Sequence, residues 1–249
     1  MNGFANSMQQ GLPQLTLGFK TPDQATFDNY FSGKNNEIVA ALKNTASGQG
    51  ERIIYLCGSR GQGRSHLLQA CCVHAFTHHR TSVYLPLANL MTQSPEILSG
   101  LESLALICID DLHLLAGNSV WEEALFHLFN RVYDAGGSII FTANDLPKSL
   151  RLQLPDLESR LSWGVTFQLH SLTDEEKLLA LINRAFLRGI TLSEEVGRYI
   201  LTHCPRHMGT LFAALDALDN ASLAAHRRLT IPFVKEVLEG EYLCQRLKK

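Results

Sequence analysis

Residues 53–57, Ile53-Ile54-Tyr55-Leu56-Cys57, are apolar without a break, and a glycine-rich octet follows at once, Gly58-Ser59-Arg60-Gly61-Gln62-Gly63-Arg64-Ser65. Beyond it Leu67, Leu68, Cys71, Cys72 and Phe76 recur at helical spacing. A buried strand, a glycine turn and a helix in immediate succession leave few folds open, because such a strand must be covered on both faces. The glycines let backbone N–H groups wrap an anion at the start of the helix, where the helix dipole favours negative charge. The octet meets the nucleotide-binding pattern G-x-x-x-x-G-K-[ST] at every position but one, since Arg64 stands where Lys is expected. Ser65 is placed to hold Mg²⁺, and the cation at position 64 to reach the β- and γ-phosphates. Arginine keeps the charge but presents a planar fork instead of a compact ammonium. The loop therefore predicts a bound nucleotide and leaves hydrolysis open.

The remaining pattern is α/β and then all-α. Strands are expected at 82–85, 104–109, 138–142 and 165–169, with helices over 65–77 and 120–133, the latter ended by Gly136-Gly137. This alternation predicts a five-stranded, mostly parallel sheet flanked by helices. After Leu169 the strand signals stop. Thr173-Asp174-Glu175-Glu176 reads as a capping box opening a helix that Gly189 ends. Ser193 caps another, a long helix covers 208–225, and Pro232 starts a last one. Three units follow: a flexible N-terminal arm over 1–25, a nucleotide-binding domain over 26–170, and a C-terminal all-α domain over 171–249.

Of 249 residues 45% are hydrophobic, enough to fill a core, and 18% are charged with a formal net charge of −2. That balance gives no overall basic footprint for nucleic acid. No stretch reaches membrane-spanning length and MNGFANSMQQ lacks the features of a signal peptide, so a soluble, cytoplasmic protein is expected. The six cysteines (Cys57, Cys71, Cys72, Cys108, Cys204 and Cys244) form no C-x-x-C pair and read as free thiols, with no spacing that supports zinc.

Three further positions carry chemistry. Ile107-Cys108-Ile109-Asp110-Asp111 puts carboxylates at the end of a buried strand, where Asp110 could hold Mg²⁺ through water and Asp111 could orient or deprotonate an attacking water. Two Asp can equally just end a strand and start a turn. Asn144, after the strand over 138–142, could sense a γ-phosphate or simply mark a turn. Arg160 sits where a finger could reach a neighbouring subunit's nucleotide, or could pair with Glu158 or Asp156 at the surface.

These elements, in this order, resemble the AAA+ ATPases, and within them the replication initiator DnaA, from about Thr26 to Leu238. The stretch from Thr26 to Asn36, including Phe31, is similar to the segment that packs around adenine in that family. Ser65-His66-Leu67-Leu68 resembles its T-H-L-L, Ile109 to Gly117 its I-D-D-I-Q-F-L-A-G, and Phe126 to Asn130 its F-H-x-F-N. Leu157 to Gly164 resembles its L-x-S-R-F-x-W-G box, which implies that Arg160 is an arginine finger acting in trans. Arg206 falls where the family has N-V-R-E-L and is the implied second sensor, although the surrounding match is poor. The resemblance also implies ADP or ATP in the loop, contacted by Gly58, Gly61, Gly63, Arg64, Ser65 and His66, and a C-terminal lid.

Two departures sharpen this expectation. The family's basic helix-turn-helix domain has no counterpart before Lys249, so direct DNA reading is not expected. Gln14-Leu15-Thr16-Leu17-Gly18-Phe19 resembles the Q-L-x-L-x-F peptide by which replication proteins dock on the β sliding clamp. Leu15, Leu17 and Phe19 alternate on an extended segment and can fill a hydrophobic cleft, with Gln14 hydrogen-bonding at its edge. The whole resembles the DnaA-homologous regulators that drive regulatory inactivation of DnaA. That resemblance implies a protein holding ADP, docked on the DNA-loaded clamp, whose Arg160 completes the active site of ATP-bound DnaA. It implies little or no hydrolysis by the chain itself. A self-assembling ATPase that loads or remodels a partner, an adaptor for DnaA, and homodimers or higher oligomers stay open at this point.

Overall fold

The computed structural model describes residues 24–240; Gln14, Leu15, Leu17, Phe19 and Cys244 lie outside them. Among the described residues one sheet holds β1 (Ile53–Cys57), β2 (Ser82–Pro86), β3 (Leu106–Asp110), β4 (Ser138–Ala143) and β5 (Val165–Gln168). The strands are parallel in the order β2-β3-β4-β1-β5. β1 therefore lies between two strands that follow it in sequence, and the loop leaving its C-terminal end sits where the chain order switches, the place open α/β sheets bind ligands.

Alternation divides the sheet residues between two layers. Ile54, Leu56, Leu106, Cys108 and Ile140 pack against α1 (Asn36–Ser47), through Ile38, Leu42 and Ala46, and α2 (Arg64–Thr77), through Leu67, Leu68, Cys71 and Ala75. Ile53, Tyr55, Ile107, Ile109, Ile139 and Phe141 face the other way. They meet Leu87 of the short α3 (Leu87–Leu90), Trp121, Leu125, Leu128, Phe129 and Val132 of α4 (Ser119–Asp134), and Leu157 and Leu161 of α5 (Pro155–Leu161). A helix on each face is why these strands are apolar at consecutive positions.

The expected elements recur with one informative shift. β3 begins at Leu106 instead of Leu104, because Leu104 N–H turns back to the Leu101 carbonyl while Ala105 and Leu106 both donate to Thr81. At its other end the strand runs on into Asp110, which lies opposite Pro86 of β2. α1, which the sequence pattern did not single out, ends at Gly48 in the left-handed conformation (φ +86°).

The C-terminal domain comprises α6 (Asp174–Leu187), α7 (Glu194–His203), α8 (Met208–Ala225) and α9 (Ile231–Gly240). Both halves of the Thr173–Glu176 capping box are formed, and Ser193 accepts Val196 N–H at the start of α7. Leu181, Ala185, Ile200, Leu211, Leu215, Leu218 and Val234 close a core separate from the two sheet layers. Cys57, Cys71, Cys72 and Cys108 are free thiols, and no helix among the described residues is long and apolar enough to cross a membrane.

Candidate functional site

Residues 58–63 turn from β1 into α2 through two left-handed glycines, Gly61 (φ +86°) and Gly63 (φ +88°). A Cβ on Gly63 would stand 2.7 Å from Cε2 of Tyr30, so glycine is needed there for space as well as for conformation. The loop is also braced by its own side chain. Ser59 N–H donates to Gln62 Oε1 (2.6 Å), Gln62 Nε2 donates to Ser171 Oγ (2.6 Å), and Tyr30 O–H donates to the Gln62 carbonyl (3.3 Å). Gln62 thus ties the loop to the connector that leads into the helical domain. Asn35 pins the same connector, donating to the His170 carbonyl (3.0 Å) and accepting His170 N–H (2.8 Å).

A cavity of about 630 Å³ opens between the loop and the helical domain, within the size range of nucleotide-sized ligand pockets. Tyr30, Phe31 and His66 supply an aromatic wall on one side, and Met208 and Phe212 of α8 an apolar one on the other. Burial pushes the Tyr30 hydroxyl up to about 12 and holds His66 below the ordinary histidine value, the latter opposed by the hydrogen bond from Nε2 to the Thr26 carbonyl (2.9 Å). Arg60, Arg64, Lys177 and Arg206 bring cations to the walls. One carboxylate, Asp174, holds two of them, Lys177 (3.2 Å) and Arg206 (2.6 Å). Arg64 donates through Nη2 to Asp111 Oδ1 (2.7 Å), while its Nη1 is buried without a partner among the described residues. A buried guanidinium N–H with nothing to bind is an anion site waiting for its acceptor. Size, aromatic wall and orphan donor all fit a nucleotide with its phosphates at the loop.

The fit to Mg²⁺ is different. Asp110 is 2% exposed and stands behind the cavity wall. Its Oδ1 accepts the Thr142 hydroxyl and Asp111 N–H (3.1 Å), and its Oδ2 accepts the Tyr84 hydroxyl (2.7 Å). Burial and this bond to Asp110 raise the Tyr84 phenol well above its usual range. Asp111, in a left-handed conformation (φ +57°), is committed to Arg64. Ser65 is exposed at the mouth of the helix. An octahedral cation needs oxygens it can share; Asp110 is engaged through both of its oxygens, and Asp111 gives its Oδ1 to Arg64.

The other sequence candidates separate in space. Gly58 hydrogen-bonds Ala143 across the β1–β4 junction (3.1 Å) behind the cavity. Asn144 is exposed past the end of β4 and does not line the cavity; Thr142, two residues earlier, is the one that meets Asp110. Arg160 lies on α5, away from the cavity. It pairs with neither Glu158 nor Asp156. Its guanidinium stacks 3.9 Å from the Trp163 ring centroid, Nε donates to Asn130 Oδ1 (2.9 Å), and no hydrogen bond among the described residues engages its terminal nitrogens. Sequence reasoning missed Gln62, Tyr84, Lys177 and Glu122. Glu122 alone carried a signal: an acid in the apolar stripe of Trp121, Leu125 and Phe129 must be buried, and it is 0% exposed.

Comparison with known proteins agrees with this geometry. A family model described as the bacterial DnaA ATPase domain matches residues 22–168, and one described as the Hda lid domain matches residues 174–238. Domain III of Thermotoga maritima DnaA is similar in structure (TM-score 0.74, 21% identity), over 88% of this chain and 97% of that one. A replication initiator DnaA bound to AMPPCP and single-stranded DNA matches with TM-score 0.67 and 20% identity over 82% of this chain and 68% of that one. The Thermotoga maritima RuvB branch-migration motor matches with TM-score 0.65 and 16% identity over 87% and 72%.

Proposed function

Since this chain belongs to the DnaA-homologous AAA+ family and carries an Hda-type lid, we propose that it is a nucleotide-bound negative regulator of replication initiation. The loop and lid hold an adenine nucleotide, ADP in the working state, as a structural ligand. Residues 14–19 dock the protein on the DNA-loaded β sliding clamp, with Gln14 at the cleft edge and Leu15, Leu17 and Phe19 inside it. DNA is met only indirectly, through the clamp. Arg160 enters the active site of ATP-bound DnaA and stabilises charge on the transferring phosphate, and DnaA's ATP is hydrolysed.

The observation that carries the reading is the posture of Arg160. It is removed from the chain's own nucleotide cavity, its ring stack and the bond to Asn130 set its direction, and among the described residues no hydrogen bond engages its terminal N–H groups. A finger for another subunit's phosphate needs those three properties. Asp111 speaks in the same direction, because pairing with Arg64 takes it away from the water it would otherwise orient.

The test is ATP hydrolysis by DnaA in the presence of this protein and DNA-loaded clamp, each component omitted in turn. Stimulation requires all three, and Arg160→Ala abolishes it while keeping nucleotide and clamp binding. Stimulation that survives Arg160→Ala puts the finger elsewhere, and appreciable ATP turnover by the chain alone favours an ATPase that works on its own account. Undiminished clamp capture by Gln14→Ala/Leu15→Ala removes the arm from the mechanism.

A further inference from the structure

We infer that the cavity takes a nucleoside diphosphate without a divalent cation. The inference rests on the reading that this cavity holds a nucleotide, and adds what neutralises its phosphates.

Mg²⁺ at this loop would be held by the Ser65 hydroxyl and by the Asp110 carboxylate at the end of β3. Here both oxygens of that carboxylate already accept hydrogen bonds. Three donors, the Thr142 hydroxyl, Asp111 N–H and the Tyr84 hydroxyl, meet the roughly four lone-pair sites of Asp110. Turning one oxygen toward an ion or its water would cost at least one of these three bonds. Tyr84 comes from β2, beside β3 in the sheet with Tyr84 opposite Cys108, so its ring is held by the strand register and not by a loop that could swing away.

The charge is supplied by side chains instead. Arg60, Arg64, Lys177 and Arg206 on the cavity walls exceed the two acids that touch them, Asp111 and Asp174, by two. Nη1 of Arg64 offers a desolvated donor that no acceptor among the described residues engages. A guanidinium fork can engage two oxygens at once, which an ammonium cannot, so Arg at this position takes over part of the cation's neutralising role. The same arrangement disfavours a third phosphate. Asp111 lies in the cavity wall beside Arg64, and a third phosphate reaching past the guanidinium would meet that carboxylate with no ion between them.

The experiment is calorimetric titration of the purified protein with ADP in excess MgCl₂ and in excess EDTA. The expected dissociation constants agree within about threefold, and any larger weakening in EDTA overturns the inference. Absence of ADP binding in both buffers overturns the nucleotide reading itself, a distinguishable result. Tyr84→Phe frees Asp110 Oδ2, and ADP binding by that variant becomes Mg²⁺-dependent by about threefold or more. A Tyr84→Phe protein as indifferent to Mg²⁺ as the parent shows that Tyr84 is not what excludes the ion, and the assignment fails.

Discussion

Glu122 offers the sharpest link between the fold and the arginine on α5. Its carboxylate is fully buried. Oε2 accepts Gln153 N–H and Leu154 N–H at 2.8 Å each, and Oε1 accepts Gly117 N–H at 3.0 Å. Gln153 and Leu154 immediately precede α5, so one side chain on α4 sets where the helix of Arg160 begins. Glu122→Ala leaves three backbone donors without an acceptor. Hydrogen bonds to a charged group contribute about 1.5–3 kcal/mol each, and allowing water to recover part of the loss at the more open Gly117 gives about 3–5 kcal/mol. For a chain of this length each kcal/mol moves the melting temperature by about 2–4 °C, so a fall of about 6–20 °C is expected. Glu122→Gln keeps the shape but turns an amide NH₂ toward at least one of these donors, and falls between. Differential scanning calorimetry gives the shift, and amide exchange over 153–161 locates it, because those residues should open before the sheet does. A melting temperature within about 2 °C of the parent, with unchanged exchange there, would refute the reasoning.

Acid should destabilise the fold through its partly buried histidines. His66 and His113 are held below the ordinary value of about 6.5, chiefly by burial. The unfolded chain then binds more protons near that pH than the folded one, so the contribution is complete above about 6.5 and is lost as pH falls. The urea midpoint should drop between about pH 7.5 and about pH 5.5, and less so for His66→Gln; a midpoint that rises on acidification contradicts the assignment. At Gly164 an added Cβ would lie 2.6 Å from the backbone carbon of Ile53 and nearer still to its oxygen. Backbone cannot yield as a side chain can, so Gly164→Ala should force β5 from β1 and cost about 3 kcal/mol or more; a circular-dichroism melt matching the parent would show that the junction has slack.

Legibility in the sequence followed the range of the interaction. Elements set by local pattern were readable: the glycine loop, the Thr173 box, the Ser193 cap and the apolar strands all appear where periodicity and capping chemistry put them. Boundaries that depend on a neighbour were less so, as at β3, whose start is decided by Thr81. The partners of the carboxylates were out of reach, since Tyr84 and Thr142 meet Asp110 only once β2, β3 and β4 lie side by side. Gln62 looked like an arbitrary loop position because its partner, Ser171, is 109 residues away.

The bonds that hold the connector carry a consequence for how the molecule assembles. Asn35 and His170 are 135 residues apart, and the two atoms of the Asn35 amide that clasp the His170 backbone can find it only after the intervening chain has been gathered into the sheet. Contacts within α6 to α9, by contrast, span short loops and close early. The helical domain should therefore exist as a formed but undocked body during refolding, with nucleotide affinity arriving last, when Asn35 and Gln62 together bring that body against the loop.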